Sequence, residues 1–534
     1  MFFWIMLGMG LAQEWWKEDV FYQIYPRSFQ DSDGDGVGDV RGIIDRLDYL
    51  EWLGVDVLWL SPIFCSPQKD FGYDILDYTC VDPVMGDMQD VDELIVDVHQ
   101  RGMKIIFDGV FNHTSDQHPW FVESMDKDSA KADWYLWRDE PNNWASAFGG
   151  SAWTWNERRQ QYYLHSFAPA QPDLNWRNPE VQHAILDSME FWLQKGVDGF
   201  RLDVFNAYYK DLEYRDNPVR YDLLSTVGGV FYPYLRYEHI YDRDRPEMLS
   251  ALEQMRALVD RYDAVLVGET LDEQLQYDHA KDYVGDTALQ LVFNFSVLHS
   301  SWNDIASVSE AYIQEFSDAW PTWVLNNHDF ARTSKRWNNS EDKKRIVAMI
   351  SLLAMGTPFV YYGEEIGLPE GKLSKKDIQD PTGQKYYPFF KGRDGARTPM
   401  QWNESVFAGF STVQPWLPIQ HNMSIYSVEA QRQSQDSLLW LYHDLIAIHH
   451  DHSVIRYGNT ESVQKIGDVL WIERQWQDAV VCLVVNLGSK SVPHKQKPLD
   501  IVISSDPNKD ELLSKGFMPR EYGVLYSQKC GVGD

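Results

Sequence analysis

Cysteine is scarce in this chain: four residues in 534, at positions 65, 80, 482 and 530. No CxxC pair and no zinc-like spacing joins them, which argues against a thiolate metal site. A bond between Cys65 and Cys80 is one reading; reduced thiols in a cytosolic enzyme are the expectation taken here. Positive charge is also short, with 48 Lys and Arg against 80 Asp and Glu and a net charge of −32. That sign is wrong for nucleic acid or an anionic membrane, and it disfavours phosphorylated substrates. No apolar run reaches membrane length. The opening MFFWIMLGMGLAQ is apolar for about a dozen residues, too short to span a bilayer, and lacks the basic segment of a secretory signal. A cytoplasmic location is expected. Internal repeats and low-complexity linkers are missing as well.

What is present is a soluble globular balance, 44% hydrophobic and 24% charged residues, in a chain long enough for two or three domains. Twenty-two Trp and 29 Tyr give either a large core or flat faces on which sugar rings stack. Short apolar runs alternate with helix-period segments, the mark of a parallel α/β fold. The runs occupy residues 20–26, 55–62, 104–110, 199–204, 264–270, 291–296, 323–329 and 358–365. Between them lie helical stretches such as residues 90–100, where Val91, Leu94, Ile95 and Val98 share a face and Gly102 ends the helix. Eight such runs predict a (β/α)₈ TIM barrel.

The interval 111–178, with seven Trp, is too long for a plain crossover and is expected to form a subdomain inserted after the third strand. After about residue 430 a helix and then alternating strands predict a C-terminal β-sandwich. The expected organisation is a barrel from 14–110 and 179–430, the inserted subdomain 111–178, and a C-terminal helix and sandwich over 431–534.

In such a barrel the functional side chains stand at the carboxyl ends of the strands. Here those ends carry Asp108 with His113 beyond it, Arg201 and Asp203, Glu269, and His328 with Asp329. Any one could be a cap or a surface charge. Together they converge on one pocket. Two carboxyl groups flanking a scissile bond are the equipment of glycoside hydrolysis. Arg201, two residues before Asp203, points to the same face and would hold that carboxylate ionised as a nucleophile. Glu269 follows an apolar run, and desolvation would raise its pKa towards that of a general acid/base.

DGVFNHTS, GFRLDVFN, VGET, NNHD and QPDLNW, with FYQIYPRSF and GARTPMQW at either end, resemble the α-amylase superfamily (glycoside hydrolase family thirteen) over residues 21–402. The closer resemblance is to its α-glucosidase and oligo-1,6-glucosidase branch. The resemblance implies Asp203 as nucleophile, Glu269 as acid/base and Asp329 as transition-state stabiliser. It places His113, Arg201 and His328 around the sugar at the cleavage point, with Asp70 and Tyr73 on the terminal glucose. Arg397 would pair with Asp70 and close the far side, making the enzyme exo-acting on a small oligosaccharide.

The loop DSDGDGVGD sets Asp31, Asp33, Asp35, the Val37 carbonyl and Asp39 at positions 1, 3, 5, 7 and 9 of an EF-hand-like loop, with Gly36 at position 6. Position 12 is Gly42, so this is not an EF-hand. The alternative is a solvated acidic turn. Relatives with this loop bind Ca²⁺, which implies a structural ion. Val204, after the nucleophile, accompanies α-1,6 activity in the resembling branch, whereas the flanking segments look like α-1,4 enzymes; both linkages stay open. Further readings are a sucrose isomerase or transglucosylase, a trehalose-6-phosphate hydrolase, and a non-catalytic transporter-associated homologue. The last loses triad residues and carries a membrane helix, unlike this chain.

Overall fold

A computed structural model describes residues 14–222, 225, 228–229, 232–271, 278–420, 422–494 and 501–530. The apolar opening, residues 1–13, lies outside the described residues. All eight expected runs coincide with parallel strands of one sheet, the last two strands starting one residue earlier than expected: β1 (Phe21–Ile24), β2 (Val57–Leu60), β3 (Lys104–Gly109), β4 (Gly199–Leu202), β5 (Val265–Gly268), β6 (Leu291–Val292), β7 (Thr322–Val324) and β8 (Thr357–Tyr361). Their order is β6-β5-β4-β3-β2-β1-β8-β7. Between the two ends of that order, Thr322 Oγ1 donates to the Val292 carbonyl at 2.7 Å, so a side chain bridges the place where the ladder lapses. This is a nearly closed TIM barrel.

The strands read as continuous apolar runs because both faces are buried. Leu58 and Leu60 face the helices, whereas Val57 and Trp59 join Phe21, Ile106, Val267 and Phe359 in the barrel interior. The expected helix spans Met88–Gln100, starting two residues before the expected 90–100. Asp87 caps it, accepting from the Gln89 and Asp90 N–H groups, and the Asp90 side chain reciprocates in a capping box.

Between β3 and β4 a three-stranded antiparallel sheet forms from Trp137–Arg138, Gln161–Leu164 and Trp153–Asn156. The helix Leu438–Asp451 leads into the C-terminal sheet of β9 (Asn459–Ile466), β10 (Val469–Trp476), β11 (Ala479–Asn486), β12 (Ile501–Ser504) and β13 (Tyr522–Tyr526). One face, with Leu470, Leu483 and Leu525, joins the barrel's core. The other packs Val484 and Val524 against Met518 of a smaller two-stranded layer, Val492–Pro493 with Phe517–Met518.

The expectation of reduced thiols is corrected. Cys65 is bonded to Cys80 and Cys482 to Cys530, with Cα separations of 5.4 and 5.1 Å in the range such bonds use. Antiparallel pairing of Phe64–Cys65 with Asp77–Val81 brings the first pair together, an approach that sequence spacing does not reveal. The thiols therefore no longer support a cytoplasmic location. Among the described residues no helix is long and apolar enough to cross a membrane.

Candidate active site

The parallel ladder sets the heights of the site's side chains. Asp108 and Arg201 are direct partners across β3 and β4, and Arg201 partners Val267 on β5. The ladder runs one residue beyond the strands: the Asp203 N–H donates to the Gly109 carbonyl, and the Glu269 N–H to that of Leu202, both at 3.0 Å. Consecutive strands therefore deliver Asp108 and Arg201 to one level and Asp203 and Glu269 to the next same-facing level above it. Asp203 and Glu269 open into a cavity of about 540 Å³ lined also by Asp70, Tyr73, His113, His328, Asp329 and Arg393.

Arg201 is fully buried and organises the acids. Its Nη1 lies 2.5 Å from Asp108 Oδ1 and 2.8 Å from Asp203 Oδ1, while Nη2 contacts Glu269 Oε2. The guanidinium lies over the Trp59 ring, 5.3 Å from its centroid, so an aromatic floor supports the charge from inside the barrel. Burial pushes the Asp203 carboxyl above its ordinary range, with Arg201 opposing it; the expected net depression is outweighed by desolvation. Burial likewise pushes Asp108 up to about 7 against the pull of Arg201. Burial alone would raise Asp329 too. There His328, Arg393 and Arg397 prevail and hold it well below the carboxylate range.

Tyr73 stacks on His328, ring centroids 5.3 Å apart and 8° from parallel. Its hydroxyl donates to Asp108 Oδ2 at 3.0 Å and lies 2.6 Å from His328 Nε2. His113 Nε2 stands 3.0 Å from the Tyr73 carbonyl. At the far end of the pocket the expected partner of Asp70 is replaced. Arg393 Nη2, not Arg397, sits 2.5 Å from Asp70 Oδ1; Arg393 also reaches Asp329 Oδ1 (3.1 Å) and Asp380 Oδ2 (2.9 Å). Arg397 lies deeper, donating Nε to the His328 carbonyl at 2.8 Å and pairing with Asp329 Oδ1 at 3.1 Å. The 3₁₀ turn Asp394–Ala396 separates the two arginines. Asp394 fixes that turn by accepting from the Gln379 and Asp380 N–H groups, which leaves Arg393 facing the pocket.

The alpha-amylase catalytic-domain family model matches residues 23–458. The chain belongs to the alpha-amylase family. A probable alpha-glucosidase of Rhizobium meliloti (strain 1021) is 41% identical over 91% of this chain and 93% of its own. The oligo-1,6-glucosidase of Heyndrickxia coagulans is 36% identical over 97% and 100%. Among solved structures, an alpha-glucosyl transfer enzyme superposes with a TM-score of 0.87 at 37% identity, covering 96% of this chain and 99% of that one.

Two residues of this alpha-amylase-family pocket escape a reading by motif. Gln171 Nε2 donates to Asp70 Oδ2 at 3.3 Å from the inserted segment; its motif was visible, its partner was not. Arg393 carried a signal in GRDGAR, but two arginines four residues apart do not announce which one reaches Asp70.

In the acidic loop, oxygens of Asp31, Asp33 and Asp39 lie within 4.8 Å of one another, and Asp35 is outside that group. An all-carboxylate set suits a hard divalent cation such as Ca²⁺. Asp35 Oδ1 instead accepts from the Val37 N–H at 2.7 Å. Ser411 Oγ donates to Asp31 Oδ2 at 2.6 Å, tying the loop to the segment after the barrel.

Proposed function

We propose that this chain is a retaining exo-α-glucosidase that removes one glucose from the non-reducing end of a short α-linked oligosaccharide. The observation that carries this reading is the pair Asp203 and Glu269 on neighbouring strand ends, both held by Arg201, in a pocket whose far end Asp70 and Arg393 close. The relatives' names agree with it.

Asp203 attacks the anomeric carbon while Glu269 gives its proton to the departing glycosidic oxygen. The C1–O bond breaks and a β-glucosyl ester forms on Asp203. Glu269, now a carboxylate, takes a proton from water as that water attacks C1, and α-glucose leaves. Positive charge on the ring in both transition states is met by Asp329, kept anionic by Arg393 and Arg397. Asp70, with Arg393, binds the terminal sugar's hydroxyls, while Tyr73 stacks on it and His113 and His328 flank it. Following product anomers by NMR tests the mechanism: α-glucose should appear first, and first release of β-glucose would falsify it. Asp203→Asn should lose several orders of magnitude in kcat while still binding substrate.

A second reading, transfer of the glucosyl group to another sugar, is favoured by Phe389 and Phe390 at the pocket mouth, 92% and 49% exposed. Apolar faces there hold an acceptor by stacking and compete with water. Ca²⁺ is proposed as a structural ion at Asp31, Asp33 and Asp39, where it would neutralise three gathered carboxylates away from the chemistry.

A further inference from the structure

Gln23 is a buried amide inside the barrel, 1% exposed, on β1. Its Nε2 lies 2.9 Å from His328 Nδ1 and 3.3 Å from Ser61 Oγ. A polar side chain among Trp59, Phe21 and Phe359 is costly unless it is paired. Its position beneath His328 is therefore a feature that needs a reason.

The proton positions follow from the far end of the same network. Above about pH 7 Asp108, 2.5 Å from Arg201, is a carboxylate and accepts, so the one proton of the Tyr73 hydroxyl goes to it, at 3.0 Å. The Tyr73 oxygen, 2.6 Å from His328 Nε2, must then accept from that nitrogen. Nε2 carries a hydrogen. Burial depresses the His328 pKa to about 3, so the imidazole is neutral and Nδ1 is bare. The only role left to Gln23 is donor.

We infer that Gln23 is a positioning residue that fixes the tautomer of His328 and so orders a one-directional hydrogen-bond chain, Gln23 to His328 to Tyr73 to Asp108, ending on the Arg201 that holds Asp203. Gln23 and Asp108 are buried below the pocket, and Tyr73 and His328 between them line its floor. Reversing the first link leaves His328 Nε2 bare. Tyr73 then has one proton for two acceptors, and Asp108, Arg201 and the Asp203 carboxylate lose their common setting.

The groups facing His328 from other elements are consistent with a neutral ring. Arg397 donates to its carbonyl from beneath, and the Arg393 and Arg201 charges oppose protonation. Tyr25 stacks at 5.7 Å. Asp329 Oδ2, 3.2 Å from Nε2, is a further acceptor for the same N–H and favours the same tautomer.

This inference rests on the glucosidase reading for its kinetic test but not for its structural one. The structural test is ¹⁵N NMR of histidine-labelled wild type, with His328 assigned by its loss in His328→Gln. An unprotonated Nδ1 and a protonated Nε2 are expected; a protonated Nδ1 overturns the inference whatever sugar the enzyme cleaves. The kinetic test compares two near-isosteric variants. Gln23→Met removes the donor and should lower kcat by about 10–100-fold with a smaller change in KM. Gln23→Glu offers only an acceptor to Nδ1. At low pH an imidazolium satisfies both the new carboxylate and Tyr73. As the pH rises the ring loses its proton from Nε2, because Nδ1–H stays bound to the carboxylate. The kcat/KM of Gln23→Glu should therefore fall on the alkaline side at a lower pH than wild type. Wild-type kcat and an unchanged pH profile in both variants would reduce Gln23 to packing and sink the proposal. Should Gln23→Glu not fold, the Gln23→Met kinetics and the wild-type tautomer still decide.

Discussion

Arg393 Nη2 stands 2.5 Å from Asp70 Oδ1, and the same guanidinium reaches Asp329 and Asp380. One cation thus joins Asp70 at one end of the pocket to Asp329 beside His328. Its partners come from the segment after β2, the segment after β7 and the segment after β8. The positions of Asp70 and Asp329 are coupled through it.

Both members of the Asp70–Arg393 pair are nearly buried, so removing Arg393 leaves the Asp70 charge without its cation in a poor solvent, at a cost of about 3–5 kcal/mol, whereas removing Asp70 costs less because Arg393 keeps Asp329 and Asp380. Arg393→Met and Asp70→Asn should each destabilise the fold and lower kcat/KM by roughly 10²-fold or more. The double variant should recover part of both losses, with a coupling energy of about 1–3 kcal/mol. Urea melts and kinetics on the four proteins measure it. Simple additivity would remove the pair from the pocket's working parts.

The barrel was legible because a strand buried on both faces must read as an apolar run, and the eight runs did. The acids were legible because their strand ends share one level: Asp203 and Glu269 continue the ladder hydrogen bonds of Gly109 and Leu202. Contacts made by long side chains across the pocket were not legible. Arg393 and Arg397 differ only in which side of a 3₁₀ turn they leave, and that turn depends on Asp394 accepting two N–H groups from residues 379 and 380. The Cys482–Cys530 bond was hidden because Cys482 on β11 meets Cys530 only once β11 pairs with β13.

The acidic loop gives a prediction about metal removal. Asp31 and Asp39 are buried and Asp33 is exposed, so a cation there would be held by the native loop and not by the unfolded chain. Ca²⁺ at a hundredfold excess over its Kd should then add about 2.7 kcal/mol of stability. Chelation should lower the Tm and leave the kcat of the remaining folded enzyme nearly unchanged. A Tm indifferent to verified metal removal contradicts the site. So should Asp33→Asn, on the exposed rim, lower the Ca²⁺-dependent gain with little effect on the metal-free Tm.

His449 supplies a pH prediction. It is buried between the C-terminal helix and the barrel, with Nδ1 2.9 Å from the Leu352 carbonyl, and burial depresses its pKa to about 4. The unfolded chain takes up a proton near pH 6.5 and the folded one only near pH 4. The stability due to keeping this ring neutral is therefore complete above about pH 6.5 and is lost as the pH falls towards 4, amounting to on the order of 3 kcal/mol. His449→Gln retains a donor and removes the titration. Other groups titrate equally in both proteins, so the difference between their stability-versus-pH curves isolates His449. The variant's disadvantage should shrink on acidification; parallel curves would assign the ring no such role.

Val204 directly follows Asp203 and carries the question of linkage. Its backbone is left-handed, φ +39°, a conformation that a β-branched residue adopts at a cost. The side chain packs with Ala145, Ala147, Phe167 and Tyr234 and lines the pocket. On the proposed reading it stands beside the bond to be cleaved and the sugar that leaves. Thr is nearly the same shape, but its hydroxyl must be paired or solvated. If Val204 is what admits α-1,6 bonds, wild type should hydrolyse isomaltose appreciably, and Val204→Thr should move the kcat/KM ratio towards maltose. One pocket contact supplies about 1–3 kcal/mol of discrimination, so the shift should lie in the range of roughly 10–200-fold. Val204→Gly separates shape from strain: it relieves the backbone and removes the contact, so it should gain stability from the first while losing the linkage preference with the second. Initial rates on maltose and isomaltose for the three proteins read both effects. A wild type inactive on isomaltose would leave α-1,4 cleavage as the activity and give Val204 no part in choosing the bond.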